Sequence, residues 1–291
     1  MQLLVNGLIA GSLASLIAGG LALVYGVLGV FNMALGQMTL AGGYATWALA
    51  QAGLPLPLAI LGGLASGALL AWLTYEVFVG PFASRNRFLP LVTTIAWSMI
   101  LDGLLLLAFE ERPRSILPGL HETTEILGAR ISPQQAVLIA ATLLLLCVFA
   151  YVLHSTPLGR RIRAVVSHDH AAQSLGIRAA FLRRGIFVGS GVLAAAGGIF
   201  IGIDQNLTPT LAFPLTIKAY AAIIAGGKGN FWGAILCAYL IALLEQLVVG
   251  VRWFSAFYVP VGYQHAVALA VLIVFLLIRP QGLFASRSRA V

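Results

Sequence analysis

The stretch LLVNGLIAGSLASLIAGGLALVYGVLGVFNMALGQM, residues 3–38, opens with more than twenty apolar or small residues and contains no charged side chain. About 20 such residues in an α-helix cross a hydrocarbon core roughly 30 Å thick. The stretch therefore predicts a membrane-spanning helix over residues 3–25. Glycines then interrupt the run, and Asn32 and Gln37 follow at membrane depth. Non-helical backbone at that depth is tolerated only inside protein or along a water-filled cavity.

The same apolar pattern repeats along the 291-residue chain, which is 60% hydrophobic and only 9% charged. Soluble domains carry about 25% charged residues. We therefore predict an all-α polytopic membrane protein with about 8–9 transmembrane helices in one domain, residues 1–291. The predicted spans are 3–25, 36–52, 57–79, 89–109, 134–153, 186–206, 213–227, 230–250 and 264–279, and the short seventh span is expected either to cross or to re-enter.

Small residues four positions apart suggest that these helices pack closely, because small side chains let helix backbones approach in lipid. The pairs are Gly7/Gly11, Gly63/Gly67, Gly185/Gly189 and Gly198/Gly202.

A second interruption follows the sixth predicted span, where the sequence DQNLTPTLAFP contains Asn206, Thr208 and Thr210. The preceding GSGVLAAAGG resembles GSLASLIAGG of the first span, and the predicted topology gives the two helices opposite directions. Interrupted helices at matching places of two inverted halves indicate a transporter's solute path. We thus predict a possible inverted repeat and a path along Asn32, Gln37 and the three residues after span six. The alternatives are chance similarity between glycine-rich helices, and polar residues that only cap broken helices.

Arginines determine the expected orientation, since cytoplasmic loops carry an excess of Lys and Arg. With nine spans, the three basic groups fall on one side, which places the N-terminus outside and the C-terminus in the cytoplasm. This topology explains the net charge of +8 without nucleic-acid binding. The basic groups are Arg85 and Arg87; six arginines within 160–185; and Arg279, Arg287 and Arg289.

The cytoplasmic segment 154–185 contains SHDHAAQSLGI, which predicts a short helix that ends at Gly176 as a C-cap would. Ala171, Ala172 and Leu175 are expected to form a small apolar face. Such a basic-flanked helix is typical of a docking element for a soluble partner, although it could be only a topology anchor. His-Asp-His at 168–170 has no further ligand nearby in sequence, so no metal site is expected.

Charged residues inside the predicted spans need partners, because an isolated charge in the bilayer is costly. Asp204, Lys218 and Glu245 lie at similar predicted depth, and a Lys218–Glu245 pair is expected. The pair could be a structural clamp, or Lys218 could bind the carboxylate of a zwitterionic solute. Asp102 and Glu76 are expected to reach the interface by snorkelling.

Four motifs in order carry a resemblance that covers almost the whole chain. They are GLALVYGVLGVFNMALGQMTLAGGY (20–44), GRRIRAVVSHDHAAQSLGI (159–177), LTIKAYAAIIAGGKGNFWGAI (215–235) and IRPQGLF (278–284). Together they resemble the permeases of ABC importers of the branched-chain amino-acid type, and the shorter, H-type subunit in particular. The chain has Leu35, Gly36 and Gln37 where that family usually has His, Gly and Glu.

The resemblance implies a permease subunit that moves branched-chain or other small amino acids delivered by an extracytoplasmic solute-binding protein. It implies a second homologous permease subunit, two ATPase subunits that hold ATP and Mg²⁺, and a bacterial inner-membrane location. This chain itself is expected to be no enzyme and to hold no cofactor. Coupling to the ATPase is expected at Asp169, Ala172, Leu175 and Gly176. Urea or short amides remain alternative solutes, and an ion-coupled secondary transporter is the alternative of another class.

Overall fold

The computed structural model describes residues 2–83, 86, 88–117, 124–126, 129–227 and 229–250, with 266, 269, 270, 273, 274, 277 and 282–284. The first half contains α1 (Gln2–Leu28), α2 (Leu35–Gln51), α3 (Leu56–Thr74), a π-helical turn (Tyr75–Val79), α4 (Gly80–Ala83) and α5 (Leu89–Phe109). An antiparallel hairpin, β1 (Thr124–Ile126) and β2 (Ala129–Ile131), precedes α6 (Pro133–Ser155). The remainder contains α7 (Pro157–Ser167), α8 (Asp169–Ser174), α9 (Ala179–Asp204), a 3-10 turn (Pro209–Leu211), α10 (Ala212–Gly226) and α11 (Phe231–Gly250).

The prediction of an all-α polytopic membrane protein is confirmed. Seven helical segments in the described part of the chain are long and apolar enough to cross a membrane. The helix α2 occupies the second predicted span with 17 residues. Six positions described within the ninth predicted span, 264–279, are helical, and the rest of that span lies outside the described residues.

The sixth predicted span began too late. Its helix, α9, starts at Ala179, about two turns before the predicted residue 186. From the sequence, Arg183 and Arg184 are expected in the loop before span six because they are charged. In the structure both arginines form ion pairs, with Asp169 and Glu76 respectively. These partners compensate the two charges, so the helix extends through them.

Contacts at the two ends of the bundle show how the chain crosses it. Gln2 Nε2 donates to the Arg130 carbonyl oxygen at 3.1 Å, so α1 begins beside the β-hairpin. The 23 residues of α6 then cover about 35 Å, which places α7 at the opposite end.

The end of α10 lies at that opposite end, because Gly229 just after it lines one pocket with Leu153 of α6 and Gly159 of α7. Leu283 N donates to the Ala225 carbonyl oxygen there, so residues 282–284 reach the same end. The bundle thus has a hairpin end, where α1 begins, and an α7 end opposite to it.

The helices α2 and α10 each run on to one end of the bundle. The helix α2 starts after α1 has reached the α7 end, and its Trp47 lies against Arg114 at the hairpin end. The segment after α9 starts at the hairpin end, and α10 ends at Gly226 at the α7 end. Segment 213–227, for which crossing and re-entry were both open, therefore runs on to the α7 end of the bundle and does not turn back.

The helix contacts fit the inverted repeat that the sequence suggested. α2 packs on α9 and α3, and α10 packs in the same way on α1 and α11. α3 contacts α9 as α11 contacts α1, and the pairs α1·α9 and α2·α10 also touch. Exchanging α1–α2–α3 for α9–α10–α11 thus reproduces the packing. Since α1 runs away from the hairpin end and α9 runs toward it, the two halves have opposite directions.

The central helices are held together by close backbone approach. The most apolar windows of α1 and α9 are 83% and 78% buried, against 22% in α5 and α6, so α1 and α9 form the core. A Cβ atom at Gly198 would overlap the Thr39 carbonyl oxygen of α2. Gly185 differs, because a Cβ there would meet nothing within 4 Å. The predicted Gly185/Gly189 packing pair is therefore wrong at Gly185.

Candidate functional site

The break after α1 is shaped by Asn32, whose side chain is fully buried. Its Oδ1 accepts a hydrogen bond from Ala34 N at 3.1 Å, and its Nδ2 faces Met38 Sδ at 3.9 Å. An Asn side chain that bonds the backbone two residues on forms an Asx turn. Thr94 of α5 fixes the same turn, because its Oγ1 accepts from Met33 N at 3.2 Å. Asn32 thus directs the chain into α2 and shows no exposed amide.

Gln37 lies in the first turn of α2 and is 1% exposed. Its Nε2 donates to both carboxylate oxygens of Asp102 on α5, each at 3.1 Å. The expectation that Asp102 snorkels to the interface is wrong, because the residue is engaged within the helix packing. Glu76 also has a partner in the protein, since its carboxylate forms an ion pair with Arg184.

The break after α9 lies at the hairpin end. Asn206 and Thr210 are exposed and Thr208 is half-buried, with 3.4 Å between the two threonine hydroxyl oxygens. Leu207 between them exchanges two backbone hydrogen bonds with Arg114, of 2.8 and 3.0 Å.

The structure brings only part of the predicted path together. The turn Pro209–Leu211 packs against α5 and α2, so the break after α9 and Gln37 share a neighbour in α5. Among the described residues, no hydrogen bond links Asn32 or Gln37 to Asn206, Thr208 or Thr210.

An aromatic group lies between α2, α5 and the break after α9. Tyr44 stacks on Phe109 with ring centroids 4.3 Å apart, and Trp47 meets Phe109 edge-on at 6.1 Å. The Arg114 guanidinium lies 4.7 Å above the Trp47 ring, within the range of a cation–π contact. Sequence reasoning missed this group, although Tyr44 and Trp47 are spaced i,i+3 and so share one face of α2.

Lys218 and Glu245 form an ion pair, with 2.8 Å between Nζ and Oε2. The cavity beside them has about 30 Å³, lined mainly by alanines of α1 and α11. That volume has room for water but not for an amino acid, so the geometry favours a structural clamp. Asp204 is not part of this pair. It lies at the end of α9, and its Oδ1 accepts a hydrogen bond of 2.9 Å from Gln135 Nε2 in the first turn of α6.

The helices α7 and α8 extend the α7 end. α7 packs through Ile162 and Val165, which are buried, while Arg160 and Arg161 are exposed. Arg163 donates to the carbonyl oxygens of residues 153 and 154 at the end of α6. A cation is favourable there because the last carbonyls of a helix carry partial negative charge.

Local geometry fixes α8 in place. Arg183 Nη2 lies 2.6 Å from Asp169 Oδ2, which ties the start of α8 to α9. At the other end of α8, Gly176 has φ +80°. Its N–H donates to the carbonyl oxygen of residue 173, and Ile177 N–H donates to the carbonyl oxygen of Ala172. This is the Schellman arrangement that glycine favours, and it places the helix end where Gly176 predicts it.

The predicted apolar face of α8, Ala171, Ala172 and Leu175, is wrong at Ala172. Ala172 is only 3% exposed and belongs to the protein's own core, whereas Leu175 is 81% exposed. Ala171 is exposed like Leu175 four positions on, whereas Ala172 packs against the core.

The chain is similar to known proteins over almost its whole length. Residues 3–276 match the family described as "Branched-chain amino acid transport system / permease component". The chain belongs to this family.

The family match is supported by individual relatives. A high-affinity branched-chain amino acid transport system permease protein, BraD of Pseudomonas aeruginosa, is 30% identical, with 97% of this chain and 95% of the relative covered. The corresponding LivH of Escherichia coli K12 is 27% identical over 97% and 94%. The ribose import permease protein RbsC of Haemophilus influenzae is 23% identical over 90% and 81%.

A solved structure, "PsaBC from Streptococcus pneumoniae in complex with Fab", shares the fold with a TM-score of 0.53 and 15% identity, covering 97% of this chain and 93% of that one. The resemblance found in the four sequence motifs is confirmed by the family match and by the individual relatives. The chain is an integral membrane permease subunit of the ABC type, a transport component and not a catalytic one.

The permease presents a cleft at the α7 end that combines apolar and basic side chains. Leu158, Leu175 and Phe181 are exposed along it, beside Arg161 and Arg178. The cleft measures about 400 Å³. Exposed leucine and phenylalanine side chains rimmed by polar residues mark a surface suited to protein contact.

Proposed function

We propose that this permease carries branched-chain or other small amino acids inward as part of an ATP-driven importer. The observation that carries the proposal is the similarity over 97% of the chain to permeases named for branched-chain amino acid transport. The structure supports it with polar side chains inside the bundle, at Gln37 and Asp102, where a zwitterionic solute needs hydrogen-bonding partners.

The permease acts with a second homologous permease subunit, two ATPase subunits and an extracytoplasmic solute-binding protein. The ATPase subunits hold ATP and Mg²⁺, and this chain holds no cofactor of its own. Segment 154–185 is the coupling segment within the single domain 1–291. Leu175 contacts the ATPase, while Asp169, Ala172 and Gly176 position α8 for that contact. The support is the ion pair of Asp169, the burial of Ala172 and the exposure of Leu175.

The α7 end faces the cytoplasm, which places the N-terminus outside and the C-terminus inside the bacterial inner membrane. Six arginines of α7, α9 and their connection support this orientation under the positive-inside rule. The described C-terminal residues 282–284 lie at the same end, beside Ala225 and Gly226.

The solute passes along α2, α5 and the break after α9. Gln37, Asn206, Thr208 and Thr210 provide weak hydrogen-bonding groups along this route, and Asn32 shapes its inner turn. Neutral amides and hydroxyls donate to a carboxylate and accept from an ammonium group without holding either tightly. The support is the shared packing of Gln37 and the turn Pro209–Leu211 against α5.

The test is reconstitution. A tag on this chain should co-isolate ATP-hydrolysing subunits, and proteoliposomes with the binding protein should take up radiolabelled leucine only with ATP. Uptake of urea or short amides in place of amino acids would assign the alternative solutes. Uptake by this chain alone, driven by an ion gradient, would overturn the importer.

A further inference from the structure

Asp102 is a carboxylate inside the membrane-spanning helix α5, fourteen positions along its 21 residues. Among the described residues, no lysine, arginine or histidine forms an ion pair with it. A charged side chain in a membrane span is expensive and marks a functional site by default. Other carboxylates of the bundle are compensated differently. Glu76, Asp169 and Glu245 each form an ion pair. Asp204 lies at the end of α9, where it accepts a hydrogen bond from Gln135.

The surroundings of Asp102 are rich in hydrogen-bond acceptors. The NH₂ group of Gln37 donates hydrogen bonds to both carboxylate oxygens. These two bonds fix the orientation of the amide. Gln37 Oε1 is then a buried oxygen with no hydrogen-bond partner among the described residues. Rotating the amide would bring that oxygen against the carboxylate, so with Asp102 ionised the two side chains do not satisfy all of their acceptors. The two side chains therefore offer three oxygens and supply only one donor group.

The position of Asp102 on α5 suits contact with a passing solute. Leu101 and Leu105 point into the core, whereas Met99 is largely exposed. Asp102 lies on the flank between these faces and is half-buried. The turn Pro209–Leu211 packs against the same helix.

We propose that Asp102, oriented by Gln37, binds the α-ammonium group of the transported amino acid. An ammonium group presents three N–H donors and one positive charge, which match the two oxygens and the negative charge of the half-buried Asp102 carboxylate. The contact is a charge-assisted hydrogen bond, stronger than a neutral one. The inference rests on the proposed function and adds the residue that selects for an amino group.

The first test replaces the charge alone. Asp102→Asn and Asp102→Glu are compared with wild type in proteoliposomes that contain the ATPase subunits and saturating binding protein. We expect Asp102→Asn to lower ATP-driven leucine uptake at least about tenfold, while subunit recovery and basal ATP hydrolysis stay within about twofold. Asp102→Glu should retain a substantial part of the uptake, because it keeps the carboxylate. Asp204→Asn is the matched control, since that carboxylate is also held by a glutamine amide.

The outcomes separate this inference from the proposed function. If wild type takes up no amino acid, the proposed function itself fails. If wild type is active and Asp102→Asn retains uptake within about twofold, the ammonium site is overturned. If both Asp102 variants lose assembly, the residue has a structural role and the inference is also overturned.

A second measurement keeps Asp102 in place. Leu106→Cys, one turn along α5 from Asp102 and exposed, is placed in a background with Cys147→Ser and Cys237→Ala and treated with a cationic, water-soluble thiol reagent. We expect labelling that leucine slows at least about threefold in the assembled importer, and that the same leucine concentration no longer slows once Asp102→Asn is added. A thiol that does not react, or whose reaction is unaffected by leucine, would show that this face of α5 does not line the solute path, and slowing that persists with Asp102→Asn would show that Asp102 does not bind the solute.

Discussion

The ion pair Lys218–Glu245 gives the most quantitative prediction. The side chains are 17% and 2% exposed, with 2.8 Å between the charged atoms. Removing one partner of a buried pair costs about 3–5 kcal/mol, because the remaining charge stays in low dielectric. We expect Lys218→Met to lower the free energy of unfolding by that amount. At about 2–4 °C per kcal/mol for chains of 150–250 residues, the Tm should fall by roughly 6 °C or more.

The double variant Lys218→Met/Glu245→Gln should recover at least about 2 kcal/mol, since the buried carboxylate that has lost Lys218 is then neutral. Thermal unfolding of the purified permease in detergent, followed by circular dichroism, measures the two single variants, Lys218→Met and Glu245→Gln, and the double variant. Arg112→Met is the control, because the Arg112–Glu110 pair of 3.0 Å is 75% and 64% exposed and should contribute about 0–1 kcal/mol. Additive losses in the double variant would refute the energetic coupling. Unchanged uptake in a stable double variant would in addition exclude Lys218 as a solute ligand.

Three further predictions use the same reconstituted importer. Asn206→Leu should lower leucine uptake without changing the Tm, whereas Asn32→Leu should also cost about 1 kcal/mol of stability, because it removes the Asx turn; equal effects of the two changes in both assays would contradict the assignment. Leu175→Arg should reduce co-isolation of the ATPase subunits and leave the Tm of the permease unchanged, because its side chain is exposed; normal co-isolation would exclude it from the docking contact. Gly198→Ala should lower the Tm or abolish folding through overlap with α2, and Gly185→Ala should not; equal Tm values would show that α2 and α9 do not approach as described.

The crossing helices could be predicted from the sequence because each depends on a local property, a run of apolar residues long enough for the bilayer. The start of α9 could not, since Arg183 and Arg184 interrupt the apolar run, although arginine is a good helix former and both side chains find ion-pair partners on other segments. The β-hairpin was missed for a different reason. Its strands have three residues each, in a stretch where hydropathy carries no periodic signal.

The candidate site was less predictable than the fold. Gln37 was chosen for its depth after a break, but its partner Asp102 is 65 positions away and was assigned to the interface. Nothing local distinguishes a carboxylate that snorkels from one that an amide holds between two helices. Lys218 and Glu245 were easier, because two opposite charges in adjacent spans at similar depth have few other partners.

The repeated halves meet where both short helices begin. Gly36 N donates to Thr216 Oγ1 at 3.0 Å, and a Cβ atom at Gly36 would overlap the Ala212 carbonyl oxygen. The first turns of α2 and α10 therefore touch, and each follows the interruption after its own long core helix. Gln37, which holds Asp102, is the next residue of α2. A displacement of α10 against α2 would thus be transmitted directly to the Gln37–Asp102 contact. Because α10 ends at the α7 end beside residues 282–284, this contact links the proposed ammonium site to the end of the bundle where the ATPase is proposed to bind.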